Sequence, residues 1–263
     1  MTEPSNSRYL PRPAESLPEL DASERDVRSW QFDVDGFGEL GQRRLQAATV
    51  LISRVGGLGG MVALELAAAG IGGMLLAHGG DLRANDLNRQ ILMSHSGIGR
   101  PRIGLAVERL HALNPRVKIR AVPSNIAESN VRDLVAAADV VVDCAPLFEE
   151  RYLLNREAVA QRKPMIECAV YGQEFHLTTI LPGETPCLRC LYPEPSLTWV
   201  RKFPVLGAVS GAGGCLAAME VIKLISGCGE ILRGRLLAMD LRTLQVTKVR
   251  IRRLPRCLDC GDV

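Results

Sequence analysis

The sequence predicts an α/β protein: a mostly parallel sheet, covered by helices on both faces, that continues into an antiparallel half. Three observations predict it. From Thr49 onward, short apolar β-rich runs alternate with helical patterns, which implies parallel strands joined by crossover helices. A glycine-rich turn at residues 56–60 follows the first of these runs and opens the first of these helices. The last third instead alternates polar and apolar residues and closes on a hairpin pattern.

Each element has its own signal. Residues 1–25 carry Pro4, Pro11, Pro13 and Pro18 among Ser and Glu and read as a flexible arm, with a docking arm as the alternative; residues 26–263 read as a single domain. Trp30 to Ala48 is expected to be helical in its second half. Thr49–Val55 is a buried strand run, and the helix after the glycine turn is closed by Gly70. Met74–Ala77 is a second strand. Arg102–Leu113 is an amphipathic helix with Ile103, Ala106, Val107 and Leu110 on one face. Residues 118–122 and Asp139–Ala145 are a third and a fourth strand. Phe148–Gln161 is a helix, and residues 164–170 are a fifth strand. This nucleotide-binding type of half ends near residue 170. In residues 171–263, Phe175–Leu181 reads as antiparallel, Ala208–Ile225 as a small-residue helix packed on the sheet, and residues 235–240 and 244–254 as a hairpin turning at Leu241–Thr243.

Composition excludes several classes. A chain of 263 residues can bury a sizeable core, and 47% hydrophobic with 23% charged residues is ordinary for a globular chain. A net charge of +3 argues for neither nucleic acid nor an anionic membrane, and 4% aromatics argues against stacking platforms for single strands. No apolar run approaches the roughly 18 residues of a membrane span, and the N-terminus lacks the apolar core of a secretory signal. The expected compartment is therefore the cytoplasm, where closely spaced cysteines among the eight are metal ligands more often than disulfides.

The glycine turn is the first candidate site. Gly56, Gly57 and Gly59 sit where a strand gives way to a helix, so backbone N–H groups and the helix dipole can meet a phosphate. The alternative is a tight turn without a ligand. The usual pattern has a glycine two places before Gly56, where this chain has Arg54. If that position demands a left-handed backbone, the strain is about 1–2 kcal/mol. An acidic residue is also expected at the end of the second strand to take ribose hydroxyls. His78 stands there, and the nearest acid is Asp81.

The second candidate site is two C-x2-C turns, Cys187/Cys190 and Cys257/Cys260, each beside a turn former, Pro186 or Gly261. Two such turns supply four thiolates to one tetrahedral zinc ion and leave no open position, so the ion would be structural. The alternative is disulfides or free thiols. Cys144 and Cys168 read as core packing, and Cys215 as part of a buried helix, with a reactive thiol as the alternative.

The stretches Asp86–Leu92 (DLNRQIL), LNPRVKI, DVVVDC, FEERYLLN, PCLRC, EVIK and CLDCG occur in the order and spacing of the ThiF/MoeB/HesA family, relatives of the ubiquitin-activating enzymes, which the chain resembles from Trp30 to Gly261. The resemblance implies a Rossmann-like fold with an ATP-binding parallel half and an antiparallel half. It also implies magnesium-dependent adenylation of the C-terminus of a ubiquitin-fold sulfur carrier by a homodimer or a heterodimer with a paralogue. Carried over residue by residue, Gly56, Gly57, Gly59, Asn88, Arg89 and Gln90 match. The loop-starting glycine is Arg54, the ribose-binding aspartate is His78, and the asparagine before L-x-R-Q is Asp86. The phosphate-contacting lysine is Arg102, the magnesium-holding aspartate is Pro146, and the arginine from the N-terminal helix region is Trp30. The acceptor cysteine falls near Val200 in a crossover loop, 196–204, that reads as shortened.

Two functional readings follow. In one, the joint loss of these groups marks a binding or scaffold subunit for a carrier protein, a peptide or an active paralogue. In the other, the chain is an active adenylyltransferase with Arg54, Arg89 and Arg102 on the phosphates and Asp81 or Asp86 on magnesium. A third, weaker reading is a different anionic ligand in the same cleft. Arg54 either joins Arg89 and Arg102 in an anion site, or pairs with Asp81 or Asp86 and plugs the cavity. His78 either donates to a ligand hydroxyl or fills the vacated space. Glu149, Glu150 and Arg151 open a helix, and the two carboxylates suit its dipole without a catalytic role. With no rhodanese-like extension after Cys260, sulfur transfer is expected to need another protein.

Overall fold

A computed structural model describes residues 9, 11–195 and 202–261. Eight strands form one sheet in the order β3-β2-β1-β4-β5-β6-β7-β8. Strands β1 (Thr49–Ile52), β2 (Gly73–Ala77), β3 (Lys118–Val122), β4 (Val140–Asp143) and β5 (Met165–Tyr171) run parallel. β6 (Glu174–Ile180), β7 (Arg235–Asp240) and β8 (Gln245–Arg250) continue antiparallel. The central strands read as continuous apolar runs because both faces are covered: α3 (Gly57–Ala69), α4 (Arg102–Leu113) and α8 (Gly207–Ser226) lie over one core cluster, and α5 (Val131–Ala136), α6 (Phe148–Ala160) and the one-turn α7 (Leu188–Leu191) over the other.

The strand order reverses between β1 and β4, whose register pairs Val50 with Val140 and Ile52 with Val142. The loops leaving these two strands therefore emerge side by side at the carboxyl end of the sheet. In open α/β sheets that crevice is where ligands bind. The Ser53 hydroxyl accepts from the Cys144 N–H at 2.8 Å and ties the two loops together.

Three expectations need correction. The helix expected in the second half of Trp30–Ala48 forms as α2 (Gly38–Gln46), but an unexpected helix, α1 (Ala22–Phe32), precedes it, with Asp21 capping it through the Glu24 N–H. From Pro11 on, the arm is packed: Leu17 and Leu20 are buried, Arg12 binds Asp139 at 2.5 Å, and Arg43 donates to the Pro18 and Leu17 carbonyls. α8 is 20 residues long and apolar enough by composition to span a bilayer. It is half buried, packed against α3, β5, β6 and α2, so its apolar character belongs to the core.

Candidate functional site: a nucleotide-type cleft filled by ion pairs

The glycine turn forms as its sequence predicts. Gly56 is the N-cap of α3. A Cβ on Gly59 would lie 1.8 Å from the Arg54 carbonyl oxygen, so only glycine lets α3 pack this close to β1. Arg54 has no positive φ, so the conjectured backbone strain is absent.

The Arg54 side chain is only 4% exposed and makes a two-pronged bond to Glu150 in the first turn of α6, with Nε to Oε2 at 2.8 Å and Nη2 to Oε1 closer still. The pair spans the crevice between β1 and β4. This corrects the expected pairing with Asp81 or Asp86: Asp81 is exposed and bridges Pro101 through its backbone. Glu150, read from the sequence as a dipole partner alone, is the counter-charge. The clue lay in the topology. A cation at the end of β1 faces whatever opens the helix after β4.

The other two arginines converge on one carboxylate. Asp86 accepts from Arg102 at 2.7 Å, Arg89 at 3.1 Å, Gln90 at 3.0 Å and the Arg83 N–H at 3.0 Å. Burial works to raise its pKa, but the hydrogen bond from Arg102 and its companions prevail and hold it below the usual range. Arg102 and Asp86 are both buried. A positive residue in place of the family's lysine thus arrives with a carboxylate in place of its asparagine, and the two neutralise each other. Arg89 is also tied to the Asn85 carbonyl at 2.8 Å and to the Asn88 side chain at 2.9 Å. Each of the three arginines holds a carboxylate of this chain. His78 is 5% exposed, with Cε1 3.9 Å from where a Cβ on Gly56 would stand, so it occupies space over the glycine turn. Trp30, where the family's arginine is expected, is 91% exposed on α1. The acceptor-cysteine position near Val200 lies outside the described residues.

Beside the cleft is a second buried ionic group that the sequence reading missed. Arg151 binds Asp143 at 2.9 Å and, more closely, Glu167 on β5, with the Phe148 ring centroid 5.5 Å from its guanidinium carbon. Burial and the neighbouring Asp143 raise the Glu167 pKa to about 7, against the pull of Arg151. Cys144 and Cys168 are buried nearby and burial pushes both thiols well up, consistent with core packing. Cys215 is exposed rather than buried, and partial burial with Glu65 raises its pKa, which lowers its reactivity at neutral pH.

The four knuckle cysteines meet. Cys187 Sγ lies 4.0 Å from Cys190 and 3.5 Å from Cys257, Cys190 lies 3.5 Å from Cys260, and all four sulfurs fall within 4.8 Å of one another. A tetrahedral zinc with Zn–S near 2.3 Å sets its sulfurs about 3.8 Å apart, so the spacing fits that ion. The donor chemistry fits as well. Burial pushes the Cys187 thiol far up and Cys260 to about 11, so four thiolates need a cation to coexist here. Asn155, fully buried on α6, orients the knuckles: its Oδ1 accepts from the Leu188 N–H at 2.8 Å and its amide donates to Asp259 at 2.5 Å. No disulfide joins any of the eight cysteines.

Sheet order, glycine turn and crevice define a Rossmann-like nucleotide-fold protein with an antiparallel extension. The chain belongs to the ThiF family, whose model matches residues 29–259. It is 47% identical over 243 residues to the heterocyst HesA protein of Trichormus variabilis, covering 92% of this chain and 91% of that one. It is 36% identical over 234 residues to the sulfur carrier protein adenylyltransferase of Thermus thermophilus, covering 86% of each. Among solved structures, Escherichia coli MccB with ATP superposes with a TM-score of 0.75 at 26% identity, over 84% of this chain and 69% of that one.

Proposed function

We propose that this ThiF-family chain no longer performs standard ATP-dependent adenylation and acts as a binding or scaffold subunit for a ubiquitin-fold carrier protein, a peptide or an active paralogue. The observation that carries the reading is the buried Arg54–Glu150 pair across the crevice. A triphosphate on the glycine turn would have to displace Arg54 and leave Glu150 buried and unpaired beside it. Separating a buried pair costs about 3–5 kcal/mol, which weakens a ligand by roughly two to three and a half powers of ten. The remaining cations offer little in return, because Asp86 already neutralises Arg102 and Arg89. Pro146 supplies no carboxylate for magnesium. The residues present therefore do not fit ATP–magnesium in this arrangement, and we derive no catalytic step through it.

In this reading zinc on Cys187, Cys190, Cys257 and Cys260 staples the antiparallel half, and eight cysteines without a disulfide among them suit a reducing cytoplasm. A dimer, of two copies or with a paralogue, is supported by unpartnered apolar side chains on two helices: Val27, Trp30 and Val34 at and after α1, and Leu216 and Met219 on α8. The second reading, an adenylyltransferase with a rearranged site, draws support from the similarity to the Thermus sulfur carrier protein adenylyltransferase and to MccB with ATP. Reversing Arg54→Gly together with Pro146→Asp separates the two. Gain of ATP binding, by calorimetry, supports a closed cleft. Loss of an adenylation activity that the unaltered chain possesses sinks the scaffold reading.

A further inference from the structure

One groove on the described surface is lined mainly by arginine. This groove, of about 490 Å³ at the base of the β7–β8 hairpin, is lined by Arg233, Arg235, Arg250, Arg252 and Arg253, with Glu184 as its one acid. Its lining carries a net +4 where the whole chain carries +3, which leaves the remainder at −1. Glu184 lies 3.4 Å from Arg233. Arg235, Arg250 and Arg252 have no carboxylate partner among the described residues.

Two further observations show what this surface lacks. Arg235 and Arg250 are directly opposite each other in the antiparallel register. Side chains so placed have Cβ atoms about 4.5–5.5 Å apart, and like charges there repel unless an anion sits between them. β8 is also the free edge of the sheet: every residue from Gln245 to Arg250 is exposed, including Val246 at 52% and Val249 at 43%. Its outer row of backbone N–H and C=O groups meets no strand among the described residues. One edge lysine such as Lys248 is enough to discourage chance pairing. An opposed arginine pair beside a concave arginine wall goes beyond that need.

We infer that the groove and the β8 edge together form a docking site for an extended acidic segment of a partner protein, added to the sheet as a ninth strand with its carboxylates on Arg235, Arg250 and Arg252. A peptide satisfies both features, since its backbone pairs with the edge while its side chains neutralise the arginines. A single-stranded nucleic acid meets only the charge, for no aromatic ring lines the groove. The site does not depend on the state of the nucleotide cleft. Its wall is anchored to the cysteine cluster, because the Leu254 N–H donates to Cys190 Sγ at 3.4 Å and Arg253 donates to the Cys260 carbonyl.

The test is fluorescence anisotropy on the full chain with a fluorescein-labelled peptide of alternating valine and glutamate. The double variant Arg250→Glu/Arg252→Glu changes two exposed side chains, and an unchanged melting temperature confirms its fold. Arg109→Glu, another exposed arginine, is the control. The expected result is salt-dependent binding that weakens by at least about tenfold in the double variant and is unchanged in the control. Absence of binding to the unaltered chain, equal binding by the double variant, or equally tight binding of oligothymidylate or pyrophosphate would each overturn the proposal.

Discussion

Neutralising Glu150 while keeping its shape, by Glu150→Gln, leaves the Arg54 guanidinium buried at 4% exposure with no counter-charge. Removing one member of a buried pair costs about 3–5 kcal/mol. At roughly 2–4 °C per kcal/mol for a domain of this size, the melting temperature falls by about 6–20 °C. The converse change, Arg54→Met, costs less. Glu150 then remains in the first turn of α6, where the helix dipole offsets about 0.3–1 kcal/mol of an unpaired negative charge. The double variant recovers much of the loss, because an uncharged pair of similar volume leaves no stranded charge. Denaturation midpoints at unchanged m-values, combined as a double-mutant cycle, measure the coupling, expected at about 2 kcal/mol or more. A loss below about 1 kcal/mol for Glu150→Gln, as for a solvent-exposed pair, or additive single losses, would refute the claim that the pair is a buried plug.

Two other perturbations follow from the same structure. Glu167 titrates near 7 when folded but near 4.5 when unfolded, so the folded chain holds the extra proton and stability falls as pH rises through that window. Relative to Glu167→Gln, the unaltered chain should lose about 3 kcal/mol between pH 4.5 and 7 in urea titrations, and a flat difference would reject the assignment. At the cysteine cluster, elemental analysis should find one zinc per chain and none in Cys257→Ser. Chelation should destabilise by at least about 3 kcal/mol, or roughly 6–12 °C, and a metal-free chain of unchanged stability would reject the staple.

The sequence made the fold legible to the level of individual strands because both periodic signals were clean. Val-rich runs buried on both faces, as in β4, and the polar–apolar alternation of β6 admit little else. The knuckles were legible because two C-x2-C spacings have few other uses. What stayed hidden was pairing across the fold. Arg54 was visible as an oddity, but its partner lies 96 positions away and is reached only through the β1–β4 adjacency. The Arg151–Asp143–Glu167 group was hidden for the same reason, since a charged residue within a strand pattern reads locally as a surface position. For the N-terminal arm, proline-rich composition left flexibility and docking both open, and Leu17, Leu20 and Arg12 dock it.

The central claim, that ion pairs of the chain itself close the nucleotide cleft, is tested most directly by thermal unfolding of the purified, zinc-loaded protein with and without millimolar ATP–magnesium. A ligand at about 100 times its dissociation constant adds about 2.7 kcal/mol, worth roughly 5–11 °C here. The account predicts no shift for the unaltered chain. A shift of several degrees would contradict it and return the protein to the active adenylyltransferases.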